Sequence, residues 1–169
     1  MIKQMTEPLE LKIKEKQVYG YYNSPIGILE ILATEKAIIS LYFVEEATMV
    51  TGESAILKEA IIQLDEYFKG ARKVFDLKYV ITGTNFQKKV WDELIKIPCG
   101  ETLTYKELAI KVGNEKATRA VGNANGKNAI SIIIPCHRVI VSNKSLTGYA
   151  GGISRKRWLL SHEKSIPGK

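Results

Sequence analysis

The stretch Ile132 to Val141, IIIPCHRVIV, sets a cysteine beside a histidine between two β-branched apolar runs. The whole chain holds two cysteines and two histidines, so the pairing stands out. Cysteine attacks as thiolate, and its ordinary pKa of about 8.5 must be lowered, or its proton removed, before it reacts at neutral pH. An imidazole can take that proton, and a carboxylate can orient the imidazole. Neighbours on a regular strand point to opposite faces, so Cys136 and His137 would not touch directly there. Either Pro135 distorts the backbone or a water bridges sulfur and ring. The alternative is a Cys136 that acts only as a small buried hydrophobe. His137 and Arg138 weigh against that, because a buried strand does not normally follow its cysteine with two polar residues. Cys99, in Ile97-Pro98-Cys99-Gly100, merely follows a helix end and reads as structural. Two cysteines and two histidines this scattered make no zinc quartet, and no metal is expected.

The elements that must position this pair lie mostly in the second half. Phe86, Val90, Leu94 and Ile97 line one helical face until Pro98 ends it. Thr104-Tyr105-Lys106-Glu107 is a capping box for the next helix, with Leu108 and Val112 inward and Gly113 closing it. Asn114 can cap a further helix through Lys116, Ala117, Arg119, Ala120 and Val121. Two short helices joined at a glycine form a helix-turn-helix pattern, whose second helix usually enters a DNA groove. NANGKNAIS (123–131) reads as a polar loop leading into the cysteine strand, and SNKSLTGYAGG (142–152) as another loop. Ile153 to Glu163, with Trp158 and His162 one turn apart, reads as a final helix.

The first half reads as three strands, near 17–23, 27–33 and 37–44, with turns at Asn23-Ser24-Pro25 and Thr34-Glu35-Lys36. Leu57, Ile61, Leu64 and Phe68 follow at helical spacing and Gly70 is a plausible stop. FDLKYVI (75–81) fits one more strand. Thr82-Gly83-Thr84-Asn85 is the best boundary, which predicts an α+β N-terminal domain over 1–82 and a mainly helical C-terminal domain over 83–169.

Charge divides at the same boundary. Residues 1–82 hold 10 Lys and Arg against 12 Asp and Glu, whereas residues 83–169 hold 15 against 6. A basic second half beside a helix-turn-helix pattern points to a polyanion partner for that half. With 169 residues, 45% hydrophobic and 25% charged, the chain can bury a real core. No apolar run reaches the roughly 18 residues of a membrane span. The first residues lack an apolar signal core, and two cysteines suit a reducing interior, so a cytoplasmic protein is expected.

Pro135-Cys136-His137-Arg138-Val139 resembles the active-site signature of the O6-alkylguanine-DNA alkyltransferases, the self-inactivating DNA-repair methyltransferases. The resemblance runs from Phe86 to Glu163, with the motifs in the family's order and spacing. It fits the N-terminal half only in outline. It implies that Cys136 accepts the alkyl group and that His137, acting through a water and oriented by Glu163, generates thiolate. It implies that Arg119 fills the gap left by a flipped base. Tyr105 would crowd the 3′ phosphate and donate a proton to guanine O6. Asn128 would brace the helix-turn-helix against the site, and Tyr149-Ala150-Gly151-Gly152 would close over the flipped base. The implied DNA-contacting set is Arg119 and Tyr105 with Lys116, Ala117, Gly122 and Asn125. The implied pocket is Asn128, Pro135, Val139, Tyr149, Ala150 and Gly151.

Chemistry supports these roles beside the resemblance. A base whose O6 must be reached in line by sulfur cannot react inside the stack, so it has to be extruded. A phenol placed at O6 stabilises the charge left on the purine. Some positions depart from the family. Ala150 stands where some relatives carry serine, Ser131 where some have proline, and Asn125 where some are apolar. The expectation is a monomeric, cofactor-free protein acting on double-stranded DNA with O6-alkylguanine and, more weakly, O4-alkylthymine. The rivals are a lesion-binding alkyltransferase-like protein that transfers nothing, a helix-turn-helix transcription regulator, and a thiol hydrolase.

Overall fold

The computed structural model describes residues 15–143 and 145–165. The chain falls into two compact units, 1–82 and 83–169, and the fold is α+β.

In the first unit, β1 (Val18–Ser24), β2 (Gly27–Ala33) and β3 (Ile38–Val44) form an antiparallel meander in chain order. Alternation decides its buried face: Leu29, Ile31 and Ala33 of β2 are sealed, and Ile38 and Leu41 join them from β3. The Thr34 hydroxyl accepts from the Lys36 and Ala37 amides and so closes the second turn. The helix α1 (Ala55–Phe68) begins at Ser54, whose hydroxyl accepts from the Leu57 amide. It buries Leu57, Ala60, Leu64, Tyr67 and Phe68. Ile61 of the expected stripe is only half-buried.

Residues 75–81 do not form the expected strand. Tyr79 makes one parallel bridge to Ile38. Elsewhere a side chain does the work of a ladder: Gln63 accepts from the Asp76 amide at 2.8 Å and donates to the Asp76 carbonyl at 3.0 Å. With its polar backbone met in this way, the segment still buries Phe75, Leu77, Tyr79, Val80 and Ile81.

In the second unit, Thr84 and Gln87 form a capping box that starts α2 (Asn85–Ile95), which buries Val90, Trp91 and Leu94. The Trp91 indole N–H donates to the Ala124 carbonyl at 2.9 Å and pins α2 to the second helix of the helix-turn-helix. β4 (Leu103–Thr104) leads into α3 (Tyr105–Lys111) through the Thr104–Glu107 capping box. Gly113, at φ +85°, makes the turn that a side chain would strain. A 3-10 turn at Glu115–Ala117, capped by Asn114, feeds α4 (Thr118–Gly126), which packs on α3. Thus half of the expected polar loop 123–131 is helical. Asn125 falls on the buried side of α4, while Asn123 stays exposed.

The expected cysteine strand is absent. Residues 131–134 turn, with Ile132 at φ +69°, and Cys136–Arg138 form a 3-10 turn. Only Val139–Ile140 is extended, as β5, pairing in parallel with β4. An apolar β-branched run suits any buried segment whose backbone groups find partners, and here Asn128 supplies several of them. α5 (Ile153–Ser165) ends the described chain.

Candidate functional site

A 3-10 turn, not a strand, carries Cys136 and His137. Pro135 (φ −81°, ψ 62°) bends the chain before Cys136, so the alternation of a strand no longer applies. Asn128 threads this bend: its Oδ1 accepts from the Ile130 amide at 3.0 Å, and its Nδ2 lies 2.8 Å from the Ile134 carbonyl. The same Nδ2 is 3.2 Å from Cys136 Sγ. Cys136 is 6% exposed. Burial pushes its thiol up, while the Asn128 N–H and the positive charge of Lys156 pull against that rise.

His137 is fully buried, and its Nε2 stands 2.8 Å from Glu163 Oε1. Burial would raise the Glu163 carboxyl, but hydrogen bonds from His137 and Arg138 and the Arg138 charge hold it well below the usual range. Burial lowers His137. The pair is therefore carboxylate and neutral imidazole. A carboxylate only accepts, so Nε2 carries the hydrogen and Nδ1 is a bare lone pair. That Nδ1 is buried with no protein partner.

Arg138 completes the cluster. Its Nε and Nη2 donate to the two Glu163 oxygens at 2.9 and 2.8 Å, and its Nη1 to the Ile97 carbonyl at 2.6 Å. The Gly100 amide adds a bond to Glu163 Oε2 at 3.2 Å, from a backbone at φ +87° that suits glycine. The loop holding Cys99 therefore serves the carboxylate, although Cys99 itself is not in these bonds.

Lys156 is not among the residues singled out from the sequence. It lies in the basic run Arg155-Lys156-Arg157, which looks like a solvated surface, yet it is fully buried. Its Nζ donates to the Val139 carbonyl at 2.6 Å and the Thr147 carbonyl at 3.1 Å, and stands 6.0 Å from the Tyr105 ring centre. Burial lowers its pKa and the negative charge available at Cys136 raises it. The spacing of Lys156, Leu159 and Glu163 on one helical face was the signal to read.

Tyr149 is buried, its hydroxyl has no partner, and its ring meets His137 edge-on with centres 6.5 Å apart. Burial raises its pKa strongly. Tyr105 opens α3, its hydroxyl 3.5 Å from the Gly148 carbonyl. Burial and the Cys136 charge raise its pKa, and the nearby Asn125 amide opposes them.

A cleft of about 430 Å³ opens here, lined among others by Tyr105, Arg119, Gly122, Asn123, Ser142 and Gly148. Cys136 is not in its lining. Lys116 and Arg119 are exposed, Ala117 and Gly122 are half-exposed, and Tyr105 approaches Gly122 closely enough to meet an added Cβ at 3.8 Å. Of the expected DNA-contacting set, Asn125 differs: it is 1% exposed, and its Nδ2 donates inward to the Cys136 carbonyl at 3.2 Å. Asn123, two residues earlier on this helix, faces outward. Of the expected pocket residues, Asn128, Pro135 and Tyr149 flank Cys136 in the interior. Val139 is wholly buried and presents its carbonyl to Lys156. Ala150 is exposed and Gly151 half-exposed. Among the described residues no group of three or more His, Cys, Asp or Glu could hold a metal ion, and no helix is long and apolar enough to cross a membrane.

A helix-turn-helix beside a buried thiol with its own imidazole–carboxylate pair defines a DNA-directed thiol chemistry. Comparison with known proteins agrees. Residues 85–165 match the model of the 6-O-methylguanine DNA methyltransferase DNA-binding domain, and residues 17–79 match that family's ribonuclease-like domain. The methylated-DNA–protein-cysteine methyltransferase of Methanosarcina barkeri is 44% identical over 153 residues, covering 87% of this chain and 97% of that one. The crystal structure of the Mycobacterium tuberculosis O6-methylguanine methyltransferase superposes with a TM-score of 0.83 at 42% identity, over 90% of this chain and 96% of that chain. The structure of OGT from the same organism in complex with DNA gives 0.81 at 44% identity, over 88% and 93%. The chain belongs to the O6-methylguanine DNA methyltransferase family.

Proposed function

We propose that this protein repairs DNA by moving a methyl or small alkyl group from O6 of guanine, and more weakly from O4 of thymine, to Cys136. The observation that carries the reading is the bare, buried Nδ1 of a neutral His137 whose other nitrogen is held by Glu163. It is a base with one free site in the interior that holds the thiol.

The steps balance as follows. His137 Nδ1, through a water, takes the Cys136 proton. The sulfur attacks the alkyl carbon in line, the S–C bond forms and the C–O6 bond breaks with its electrons going to the purine. The Tyr105 phenol gives its proton to the purine, and the His137 imidazolium returns one to Tyr105. The thioether has no easy route back, so each molecule acts once. Glu163 stabilises the imidazolium that forms midway.

The target must leave the stack to be reached. The cleft at Tyr105 and Arg119, on the outer side of α4, is the proposed entrance. Arg119 is the side chain proposed to hold the gap, with Lys116, Ala117 and Gly122 beside the phosphates. Asn128, Pro135, Val139 and Tyr149 shape the interior around the sulfur, while Ala150 and Gly151 belong to the loop over the base. The unit 83–169 carries DNA binding and alkyl acceptance, and the unit 1–82 is its α+β companion. The protein acts as a cytoplasmic monomer on double-stranded DNA.

Duplex DNA with radiolabelled O6-methylguanine tests this. The expected outcome is about one label per molecule, on Cys136 and absent from Cys136→Ala. Lesion binding without label transfer would replace the reading with a lesion sensor. Binding to one unmodified operator sequence would replace it with a regulator.

A further inference from the structure

Tyr105 meets a glycine at each end of its side chain. Its ring lies against Gly122 of α4, where an added Cβ would sit 3.8 Å from Cδ1 and Cε1, an ordinary contact. Its hydroxyl lies against Gly148, where an added Cβ would stand 3.3 Å from the phenol oxygen, tighter than side chains usually pack. The hydroxyl donates to the Gly148 carbonyl at 3.5 Å. An O–H···O bond usually measures about 2.7–2.8 Å, so this one orients the phenol without gripping its hydrogen.

The carbonyl that receives the phenol is anchored on both sides. One residue before it, the Thr147 carbonyl accepts from Lys156 Nζ at 3.1 Å. One residue after it, Tyr149 is buried with its ring edge-on to His137, and its carbonyl accepts from the Gly152 amide at 3.0 Å. Gly148 makes the bend between these anchors at φ +66°. Tyr105 and Gly148 both line the cleft, so the phenol rests where an entering base would pass.

We propose that Gly148 is a positioning residue for the proton donor: its carbonyl orients the Tyr105 phenol at rest, and its missing side chain leaves the phenol room to turn to the purine. The proposal rests on the alkyl-transfer reading above and adds that the loop over the base also aims the acid. No covalent bond to Gly148 forms or breaks. As the C–O6 bond breaks, the phenol hydrogen leaves the carbonyl and passes to the purine, and the His137 imidazolium returns one to Tyr105. A side chain at 148 would displace the phenol by a few tenths of an ångström, and misplacing a reacting group by about 1 Å can cost about a hundredfold.

Two electrophiles and one background test this. O6-methylguanine in duplex DNA expels a purine that must be protonated, whereas iodoacetamide expels iodide, which needs no proton. With Gly148→Ala, single-turnover transfer from O6-methylguanine is expected to fall by about tenfold. Iodoacetamide labelling of Cys136 should stay within about threefold of the unmutated chain, since thiolate formation limits it. In a Tyr105→Phe background there is no hydroxyl for the new Cβ to meet, so Gly148→Ala should cost less than about twofold. If Gly148→Ala fails to fold, Gly148→Asn is read in the same way, because asparagine adopts a positive φ more readily.

Undiminished transfer by the variant would overturn the proposal. So would equal losses with both electrophiles, which would place the effect on the thiol or the fold. The same tenfold loss in the Tyr105→Phe background would overturn it too, because Gly148 would then act on the base and not on the phenol. If the unmutated chain transfers no label from O6-methylguanine, the proposed function fails and this inference with it. If it transfers and the variants behave otherwise, only the inference fails.

Discussion

The two units solve the problem of an interior in opposite ways. The first buries an almost wholly apolar core, and among the described residues its buried polar ones are Thr34, Ser54 and Gln63, each spent on a turn, a cap or a backbone segment. The second buries His137, Arg138, Lys156 and Glu163 together with Asn125 and Asn128. Desolvating a charge is expensive unless it is paired, and paired ions often stabilise no better than well-packed apolar residues. The second unit therefore carries a network that folding alone does not need. On the proposed function, chemistry is the reason for its burial: a dry carboxylate–imidazole pair is stiff, and the charge of Lys156 is weakly screened where the sulfur must ionise.

The sharpest way to break this contrast is to remove one member of the network. Arg138→Met leaves Glu163 with His137 and the Gly100 amide but no cation at its side. Breaking a buried pair in this way should destabilise the second unit by about 3–5 kcal/mol. Native-state hydrogen exchange, which resolves the units, checks it. Replacing both partners, Arg138→Met with Glu163→Leu, should recover part of the stability while abolishing transfer. A double variant that stays as unstable as the single one would mean that shape, and not charge, holds this region together.

The counterpart in the first unit is Leu41→Ala. Leu41 is sealed in the sheet's core, so a cavity there should destabilise by about 2–5 kcal/mol. No ionisable group is involved. The loss should therefore be the same at pH 5 and pH 8, and a pH-dependent loss would count against the apolar reading of this core.

Acid should separate the units more gently. Burial holds His137 below its ordinary 6.5 in the folded state, so the unfolded chain takes up that proton first as the pH falls. Glu163 is also held below its ordinary 4.5. Both groups bind protons more readily when unfolded, so the second unit loses stability as pH drops below 6.5, and more steeply below 4.5. Urea midpoints followed by exchange in each unit, from pH 8 to pH 4, should show the second unit falling first.

What the sequence made legible follows the same division. Where apolar spacing and capping chemistry decide structure, the residues could be read directly: the meander, α1, and the Thr104–Glu107 start of α3 all carry local signals. Where side chains replace backbone partners, they could not. The run before Cys136 has the composition of a strand, and nothing local says that Asn128, earlier in the chain, will satisfy its carbonyls and allow a turn. Segment 75–81 was misread for the same reason, with Gln63 in the part of Asn128. The Glu163 partner to His137 lies 26 residues away and was named only through the resemblance. Lys156 was missed because two cations beside it disguise its burial. Asn125 reads from the sequence as part of a polar loop, and as a DNA contact only through the resemblance, because nothing local shows that α4 runs on through it to Gly126.

The smallest effect tests whether a local signal can matter differently in the two units. Ser54 and Thr104 are both N-caps, their hydroxyls accepting from the Leu57 and Glu107 amides at 3.2 and 3.1 Å. Removing either hydroxyl should destabilise by about 1 kcal/mol. Their neighbours differ. Ser54 starts a helix that only packs, whereas Thr104 pairs with Ile140 in β5 and is followed at once by Tyr105. Thr104→Ala also frees the Glu107 carboxylate from the hydroxyl, leaving it bonded to the Thr104 amide alone of the capping pair. The loosened turn is the one that aims the phenol, so Thr104→Ala should slow transfer several-fold at full folding, and Ser54→Ala should leave the rate unchanged. Matched rates for the two variants, measured well below either melting temperature, would mean that Tyr105 is held by its packing against Gly122 and not by the cap that precedes it.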